Sequence, residues 1–579
     1  MSLLSQASLV MTANAIKESK IYSIIPTNGN GDADFTRGTL ASSTLTSASG
    51  LIESVPYNLL LVSQDFNSAT WSKNTTVVLS TNNTAPNGTL TATRLTGDNV
   101  NPTLQQVITG TIGLQYTTSF WVRRVSGTAQ IYLRCGDVTP VSNIAVTSTW
   151  QLFSYSSTST TTTIRCGIGF SGGILNTDII EIWGAQLVQG SIPKDYFFTT
   201  DRLNVPRLNY ESYGGCPSLL LEPQRTNLLL NSVWAGGGSL PTSWVTGIQT
   251  GTSTPIASIK NPNVTAYRFV TTSAQRQWFY QGFAFTTTPT NSITCFSVYV
   301  ESVTTAVAIS EILAVIPSTT GNGNTVFLKN NVTIDATTNI IAGNTYSVQY
   351  TVTVSDVFRF RIGSGVSNTV AGNFVLSMPQ VEQGLFVRTA YSTSFIPTTT
   401  GSVTRNGDVF TRNNLYANGI ITDIGGTWFL EINNNLSLVR DSTLPSGISL
   451  DANPAFFDDG FLIRNNFNGT SVRLGIDIRQ GGSIVGAYST LENTVKIAIR
   501  WDGTYATVYV NGVVRIAFAT FATKIMNYLT AKADDVPKYI KSMLFFPLPL
   551  SNSEMIALTS STNYISYENM AINLNYVIQ

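Results

Sequence analysis

The sequence predicts an all-β protein built from tandem β-sandwiches. Short alternating runs of apolar and polar residues recur along the chain and are bounded by Gly, Asn, Thr and Ser, which is typical of sandwiches and barrels. The stretch Asn-Leu-Leu-Leu occurs at 58–61 and again at 227–230, which indicates an internal repeat. Helix-like patterns are confined to 2–18 and 551–561.

The two copies of the repeat continue well beyond these openings. Matching positions lie at offsets that grow from 169 through 176 to 194 residues, as expected when the second copy carries loop insertions. Each copy has the size of a jelly-roll sandwich, and we place the copies at 51–225 and 226–410. The Leu triplets are interpreted as first-strand residues that are buried on both faces or at a domain seam. The matching segments are TSFWVRR (118–124) with TCFSVYV (294–300), TIRCGIGF (163–170) with RFRIGSGV (359–366), and GAQLVQG (184–190) with MPQVEQG (378–384).

Two hairpins are predicted in VKIAIRWDGTYATVYVNGVVRIAF (495–518), because Asp-Gly and Asn-Gly suit two-residue type I′ turns. A turn centred on Asp502-Gly503 produces one apolar face and one cationic and aromatic face. A turn at Asn511-Gly512 sets Val508 opposite Arg515, a poor core pair, so we expect a bulge or a longer loop there. The predicted cross-strand pairs of the first hairpin are Lys496–Tyr509, Ile497–Val508, Ile499–Ala506 and Arg500–Tyr505.

The cationic and aromatic face of the first hairpin is the candidate ligand site. Tyr505 and Tyr509 offer rings for stacking, while Lys496 and Arg500 offer hydrogen-bond donors, a combination that suits a sugar. The alternative, which the sequence favours, is that this face meets another domain or subunit or faces water.

The charge of the chain excludes several classes of partner. Charged residues make up 11% of the sequence, and Lys plus Arg exceeds Asp plus Glu by one, 33 against 32. Ordinary soluble proteins carry about 25% charged residues. The chain therefore has neither the basic footprint of a nucleic-acid-binding protein nor a polybasic membrane patch.

Catalytic chemistry is poorly supported by the sequence. There is no histidine, so the G-x-S-x-G match around Ser171 cannot belong to a Ser-His-acid triad. Paired carboxylates are the alternative, and they would make the protein a glycan-cleaving depolymerase. The candidates are Asp458 with Asp459 and Asp534 with Asp535, but neighbouring acids on a strand point to opposite faces. We expect no enzymatic activity.

Cofactors and metals are not expected either. The four cysteines, at 135, 166, 216 and 295, form no CxxC motif and no zinc site. Cys135 and Cys166 can form a disulfide or remain buried free thiols, and the sequence favours the thiols. The stretch NGNGDAD (28–34) does not have calcium-loop spacing and is predicted to be a turn.

Signals for export or membrane insertion are also lacking. No apolar run reaches the ~18 residues that a membrane-spanning helix needs. The opening MSLLSQASLVMTANA has no basic n-region, and Ser5 and Gln6 interrupt its apolar stretch. We expect a product made in the cytoplasm without a secretion signal.

Two segments resemble a family of tailed-bacteriophage virion proteins, which includes head-fibre and tail-fibre proteins of crAss-like phages. The first is DFTRGTLASSTLTSASGLIESV (34–55), and the second is VPRLNYESYGGCPSLLLEPQRTNLLLNS (205–232). The end of the chain resembles concanavalin-like, laminin-G-type sandwiches through IRWDGTYATVYVNGV (499–513) and MLFFPLPLSNSEMIALTS (543–560). In the latter, Ser551 or Ser553 before Glu554 is typical of a capped helix.

These resemblances imply a virion fibre or spike protein, located on the head or tail of a particle that is assembled in the host cytoplasm. They imply an N-terminal arm (1–50) that attaches to other virion proteins, followed by the two sandwiches and a concanavalin-like sandwich at 411–579. A homo-oligomer is expected, a trimer first and a dimer second, with host surface glycans as ligands. The alternatives are a capsular-polysaccharide depolymerase and a purely architectural virion protein.

Overall fold

The computed structural model confirms the all-β class. Strands pair antiparallel throughout the described part of the chain, and an α-helix spans Asn552–Thr559. The described residues are 2–13, 16–39, 44–73, 78–97, 103–128, 130–137, 140–171, 177–210, 216–285, 293–318, 323–352, 354–383, 392–433, 447–453, 458–467, 472–492, 494–522, 524–532, 538–560, 569–570 and 572.

The chain divides into two compact units. One is Ser54–Leu203, which forms the first sandwich, and the other joins Met1–Glu53 to Asn204–Gln579 and holds the second and third sandwiches. The N-terminal segment contributes six short strands: β1 (Leu9–Thr12), β2 (Ile16–Lys17), β3 (Lys20–Ile21), β4 (Ala33–Thr36), β5 (Thr44–Thr46) and β6 (Ile52–Ser54). A 3-10 turn at Leu4–Gln6 precedes them.

The first sandwich is built from two five-stranded sheets with the orders β13-β12-β15-β10-β7 and β14-β11-β16-β9-β8. Alternating apolar residues of both sheets form one buried core around Trp71 and Phe120. The strands are β7 (Ser72–Lys73), β8 (Val78–Asn83), β9 (Ala92–Thr96), β10 (Thr103–Thr109), β11 (Gln115–Ser126), β12 (Gln130–Gly136), β13 (Val141–Ile144), β14 (Gln151–Thr158), β15 (Thr163–Ser171) and β16 (Ile179–Gln189).

The second sandwich follows two strands, β17 (Arg207–Asn209) and β18 (Ser218–Leu221), that belong to the third. Its own strands are β19 (Arg225–Asn227), β20 (Val245–Gln249), β21 (Thr252–Ala257), β22 (Thr265–Thr271), β23 (Gln277–Phe285), β24 (Ile293–Thr305), β25 (Leu313–Pro317), β26 (Thr325–Lys329), β27 (Val332–Ile334), β28 (Asn344–Thr351), β29 (Asp356–Ser364), β30 (Gly372–Gln383) and β31 (Val403–Arg405). A 3-10 turn lies at Ile309–Glu311.

The first and second sandwiches share one topology. The larger sheet of the second contains the order β21-β22-β30-β24-β28, which matches β8-β9-β16-β11-β14 of the first. Its smaller sheet, β20-β23-β29-β25, matches β7-β10-β15-β12. Strands β9 to β12 and β14 to β16 alternate between the two sheets, as do β22 to β25 and β28 to β30, which is typical of a jelly roll, while β8-β9 and β21-β22 are hairpins within one sheet. The equivalent bulge pairs are Ser119 with Gln186 and Ser297 with Gln380, so the offset in this strand is 297 − 119 = 178 residues, two more than the sequence match suggests. Because apolar and polar residues alternate with a period of two, alignments at offsets of 176 and 178 residues show the same pattern in sequence.

Asn227 explains why the Asn-Leu-Leu-Leu stretch recurs. Its Oδ1 accepts hydrogen bonds from the N–H of Leu229 at 3.2 Å and of Val381 at 3.1 Å, and its Nδ2 donates to the carbonyl of Ile396 at 2.7 Å. One fully buried amide thereby joins three parts of the second sandwich: the opening segment (227–230), strand β30, and the closing segment around Ile396.

Asn58 does the same in the first sandwich. Its Oδ1 accepts from the N–H of Leu60 and of Leu187, both at 3.2 Å, and its Nδ2 donates to the carbonyl of Phe197 at 2.9 Å. We expected the Leu triplets to be strand residues that are buried on both faces, and this prediction is wrong. Leu60 is fully buried whereas Leu61 is 36% exposed. The segment is not a strand, and it is held by the side-chain amides of Asn58 and Gln106 together with a backbone hydrogen bond from Leu59 to Leu187.

The third sandwich also consists of two sheets. One has the order β17-β18-β42-β33-β38-β39-β40, with β1 also paired to β42, and the other is β2-β3-β4-β32-β41-β34-β35-β36-β37. The remaining strands are β32 (Val409–Asn413), β33 (Gly426–Asn433), β34 (Gly447–Asp451), β35 (Gly460–Phe467), β36 (Val472–Gln480), β37 (Ser483–Thr490), β38 (Thr494–Trp501), β39 (Tyr505–Val510), β40 (Val513–Thr520), β41 (Tyr528–Lys532) and β42 (Lys538–Phe546).

Residues 1–50 are not a separate arm in this architecture. Strand β1 pairs with β42, and β4 pairs with β32, so both sheets of the third sandwich take strands from the N-terminal segment. Leu9, Ala33 and Phe35 are fully buried in the core of that sandwich. Their burial requires partners from the far end of the chain, which adjacent sequence cannot reveal. For the same reason 204–225, placed in the first repeat by sequence, lies outside its compact unit.

The first predicted hairpin exists, but its turn is shifted. Ile499 faces Val508 and Arg500 faces Thr507, which centres the turn on Gly503-Thr504 and not on Asp502-Gly503. The Oδ1 of Asp502 accepts hydrogen bonds from the N–H of Thr504 at 3.1 Å and of Tyr505 at 2.9 Å. This side-chain turn moves the register by two residues and therefore leaves each side chain on its expected face.

The second hairpin agrees with the sequence. Asn511 and Gly512 have φ of 48° and 79°, as a type I′ turn requires, and Val510 faces Val513. The expected irregularity is present as a register shift that sets Ile516, and not Arg515, opposite Val508. The bulge keeps an apolar residue in the core.

We predict that Asn227→Ala destabilises the second sandwich by about 2–4 kcal/mol, because it leaves buried backbone N–H groups without an acceptor. Urea denaturation followed by tryptophan fluorescence measures the loss. Asn58→Ala should cause a comparable loss in the first sandwich, whereas Asn82→Ala, at an exposed position of β8, should cost much less. Equal stability of all three variants would contradict the role given to these amides.

Candidate binding cleft and the ion network beside it

A buried network of five charged residues lies in the larger unit. Arg37 Nε is 2.6 Å from Asp408 Oδ1, and Arg207 contacts Asp408 Oδ2 with its second terminal nitrogen. Arg207 and Arg405 contact Glu222 Oε2 at 2.6 Å and 3.0 Å. All five side chains are at most 2% exposed, so three cations share two carboxylates out of water.

The pKa directions follow from position in this network. Burial lowers the pKa of Arg207, but Asp408 and Glu222 outweigh burial and raise it above its usual value. Arg37 meets only Asp408, and burial with repulsion from the other arginines lowers its pKa to about 10. Burial raises the pKa of Glu222, but Arg405 and Arg207 prevail and lower it to about 2. At neutral pH all three remain charged.

The sequence contained the signal for this network, but sequence reasoning missed it. Arg37, Arg207 and Glu222 lie in the segments that resemble phage virion proteins, and Arg405 and Asp408 lie at the end of the second repeat in TRNGD. In a chain with 11% charged residues, charges inside apolar strands indicate paired burial. The pairing itself depends on contacts across as many as 371 residues of sequence.

Ser394 connects the network to a cleft in the same unit. Its N–H donates to Glu222 Oε1 at 2.8 Å and its hydroxyl donates to Glu222 Oε2 at 2.5 Å. The same hydroxyl accepts from Arg207 at 2.7 Å and from Arg405 at 2.8 Å. The ions therefore fix the backbone of 392–395, which forms one wall of the cleft.

The cleft has a volume of about 290 Å³ and a lining of aromatic rings, amides and hydroxyls. Tyr299, Phe395 and Tyr539 supply rings, and Asn209 and Gln380 supply amides. Within the described residues the amide nitrogens of Asn209 and Gln380 have no acceptor, whereas their oxygens accept from Thr46 at 2.9 Å and Ile396 at 2.6 Å.

A tight turn forms another wall of the cleft. Asn330 and Asn331 have φ of 47° and 63° and connect Lys329 to Val332, the geometry of a type I′ turn. Asn331 Oδ1 accepts from the N–H of Ser392 at 3.0 Å, and its Nδ2 donates to the carbonyl of Ser392 at 3.1 Å. The turn is thereby held against the segment that carries Ser394.

The charge of the cleft favours binding over proton transfer. Among the lining residues that the structure describes, Glu222 is the one charged side chain, and its pKa of about 2 keeps it ionised. A general acid requires a pKa near the working pH. The described lining therefore offers hydrogen bonds and ring faces, and its one carboxyl is too strong an acid to act as a proton donor near neutral pH.

The predicted ligand platform is not formed. Tyr509 and Lys496 are each 2% exposed, and the hydroxyl of Tyr509 donates to Asn552 Oδ1 at 2.9 Å. Arg500 donates to the carbonyl of Leu550 at 2.9 Å, so Tyr505, 42% exposed, is the one member with a largely accessible ring. The physical reason is the helix Asn552–Thr559, which packs over this face. Its N-cap is Ser551 and its capping box uses Glu554, as the sequence indicates.

The other sequence candidates occupy structural positions. Asp459 accepts from the N–H of Gly481 at 2.7 Å and pairs with Lys524 at 3.0 Å, and these contacts lower its pKa. Ser171 Oγ accepts from the N–H of Asn143 at 2.9 Å. Asp458 is exposed beside Asp459, and Asp534 and Asp535 lie outside the described residues.

The cysteines form no disulfide among the described residues. Cys135 and Cys166 face each other on β12 and β15, both fully buried, and burial raises the pKa of Cys166 above its usual value. Within the described residues, no group of three or more Cys, Asp or Glu side chains is placed to hold a metal ion. Nor does any helix in that part of the chain have the length and apolarity of a membrane span.

Comparisons with known proteins identify no family for this chain. No protein-family model matches the chain, and no curated protein matches it. Among solved structures, the N-terminal CBM22-1-CBM22-2 tandem domain from Paenibacillus barcinonensis Xyn10C is similar at 10% identity, over 59% of this chain and 98% of that chain. Its TM-score of 0.19 is too low to carry an argument.

We predict that Arg207→Met destabilises the larger unit by about 3–5 kcal/mol, because it leaves two buried carboxylates with one partner fewer. Chemical denaturation measures the loss. Lys20→Met removes the exposed pair with Asp34 and should cost at most about 1 kcal/mol. A similar small loss in both variants would contradict the importance of the network.

The stability of the larger unit should fall in acid because of Glu222. In the folded protein the pKa of Glu222 is about 2, below its usual value of 4.5. Its contribution to the free energy of unfolding is therefore complete above about pH 4.5 and is lost as the pH falls toward about 2. Denaturation midpoints measured across this range should fall less steeply in Glu222→Gln than in the wild type. Equal slopes would show that Glu222 is not the group involved.

Proposed function

We propose that the protein is a non-enzymatic virion fibre or spike protein of a tailed bacteriophage, displayed on the head or tail, that attaches to host surface glycans. The observation that supports glycan binding is the cleft, with its rings, amides and hydroxyls around about 290 Å³. The resemblance of 34–55 and 205–232 to phage virion proteins supports the virion location.

The cleft chemistry suits an uncharged sugar. Sugar hydroxyls exchange hydrogen bonds with amides and hydroxyls, and the apolar faces of sugar rings pack on aromatic side chains. Lys260 lies over the ring of Tyr299, with Nζ 5.4 Å from the centroid, which holds that ring in place. A preformed ring and preformed amides reduce the entropy lost on binding.

A non-enzymatic role agrees with the acidic groups of the cleft and with the composition. A glycosidase needs one carboxyl that stays protonated near neutral pH, whereas the pKa of Glu222 is about 2. The absence of histidine from the sequence removes the usual alternative general base.

The buried network suits a displayed protein that bears mechanical load. It joins strands of the second and third sandwiches through paired charges that water does not reach. Since β1–β4 are built into the third sandwich, we propose that contacts with other virion proteins use folded surface near these strands. Assembly into a trimer, or alternatively a dimer, would multiply a weak single-site affinity.

A glycan array probed with the full chain tests this proposal. We expect binding to host surface glycans, weakened about tenfold or more by Tyr299→Ala or Gln380→Ala, as truncation of a central contact typically does. Tyr416→Ala, at an exposed position outside the cleft, is the matched control and should bind like the wild type.

Two outcomes would contradict the proposal. New reducing ends after incubation with capsular polysaccharide would indicate a depolymerase. An array without binding, together with particles that fall apart without the protein, would indicate a purely architectural role.

A further inference from the structure

The outer face of the sheet β14-β11-β16-β9-β8 in the first sandwich carries a compact set of aromatic and cationic side chains. Trp121 and Arg123 lie two residues apart on β11 and therefore share a face. Leu152 on β14 is directly opposite Trp121, and the Arg123 guanidinium lies 5.0 Å from the ring centroid of Trp150. Leu152 is 43% exposed and both tryptophans are partly exposed, so this group is accessible from solvent.

Two arginines on this face share one carboxylate. Arg123 contacts Glu181 Oε2 at 2.7 Å, and Arg94 contacts Oε1 at 2.7 Å. Glu181 is directly opposite Arg123 on β16 and directly opposite Arg94 on β9, so the three form one row across three strands. The arginines are 31% and 35% exposed while Glu181 is 2% exposed, which leaves a net positive charge facing outward.

The row retains unused hydrogen-bond donors. A guanidinium has five N–H groups, and Glu181 takes only part of those available. A second carboxylate brought to this face would find donors of matching geometry beside a tryptophan ring.

This face is the counterpart of the wall of the cleft in the second sandwich. Gln186 and Gln380 accept from the N–H of equivalent closing-segment residues, Phe197 and Ile396, at 3.0 Å and 2.6 Å. The 178-residue offset set by the bulges then makes Tyr299 the equivalent of Trp121. The two copies therefore present different chemistry at the same place, uncharged and concave in one and cationic and aromatic in the other.

We propose that the face formed by Trp121, Trp150, Arg94 and Arg123 is a second binding site, specific for carboxylate-bearing saccharides such as uronate-containing polysaccharides. The guanidinium groups hold the sugar carboxylate, and the tryptophan rings pack against the sugar ring. Glu181 orients both arginines from below and limits the affinity by its own charge. The site is separate from the cleft and does not depend on it.

Titration of the full chain with polygalacturonate, with neutral dextran as the comparison polymer, tests the site. We expect binding of polygalacturonate only, weakened about tenfold by Arg94→Gln and by Arg123→Gln, or about 1.4 kcal/mol each. Arg165→Gln removes the same charge from the other sheet of this sandwich and should leave binding unchanged. Rising salt should weaken binding, because part of the attraction is between charges.

Glu181→Gln distinguishes a binding role from a structural one. It removes the competing carboxylate while keeping the side-chain size, and we expect tighter binding of polygalacturonate than in the wild type. If that variant does not fold, Arg123→Lys keeps the charge without the planar fork and should bind several-fold more weakly. Absence of polygalacturonate binding, or equal losses in Arg165→Gln and Arg123→Gln, would overturn the proposal.

Discussion

The larger unit depends on the sharing of two buried carboxylates by three arginines. Arg37 precedes the first sandwich in sequence, Arg207 and Glu222 follow it, Arg405 ends the last strand of the second sandwich, and Asp408 comes just after that strand. A buried ion without its partner costs several kcal/mol, so the charged residue of each segment can be buried only when its partners from the other segments are in place. These distant segments of the chain therefore pack together cooperatively. Ser394 hydrogen-bonds to Glu222, so the same network also fixes the wall of the cleft.

Within each jelly roll, a single buried asparagine performs a comparable task on a smaller scale. Asn58 and Asn227 bind the opening segment to the last long strand and to the closing segment, and they supplement the few backbone hydrogen bonds formed there. A side-chain amide offers both donor and acceptor, so one residue satisfies several backbone groups at once. This requirement accounts for the recurrence of the motif better than the burial of its leucines does, since Leu61 is 36% exposed.

A shared backbone with different outer faces is well suited to a protein that binds and displays. The strand order of the two copies is the same, whereas the outer faces of the equivalent sheets β14-β11-β16-β9-β8 and β21-β22-β30-β24-β28 carry different side chains. Replacement of Trp121 by Tyr299 at the equivalent bulge exchanges a cationic aromatic surface for part of an uncharged cleft. In the framework of a phage fibre, one particle would then offer two kinds of glycan contact.

The sequence by itself determined the all-β class, the repeat, the Asn511-Gly512 hairpin with its bulge and the capped helix at Ser551, because period-2 alternation, turn residues and capping boxes act over a few neighbours. Only the tertiary structure decided that the N-terminal strands complete the third sandwich and that the helix covers Tyr509. The same holds for the cleft and the ion network. Their members lie tens to hundreds of residues apart, and which charges share a buried site depends on the packing of whole sheets, which no local pattern encodes.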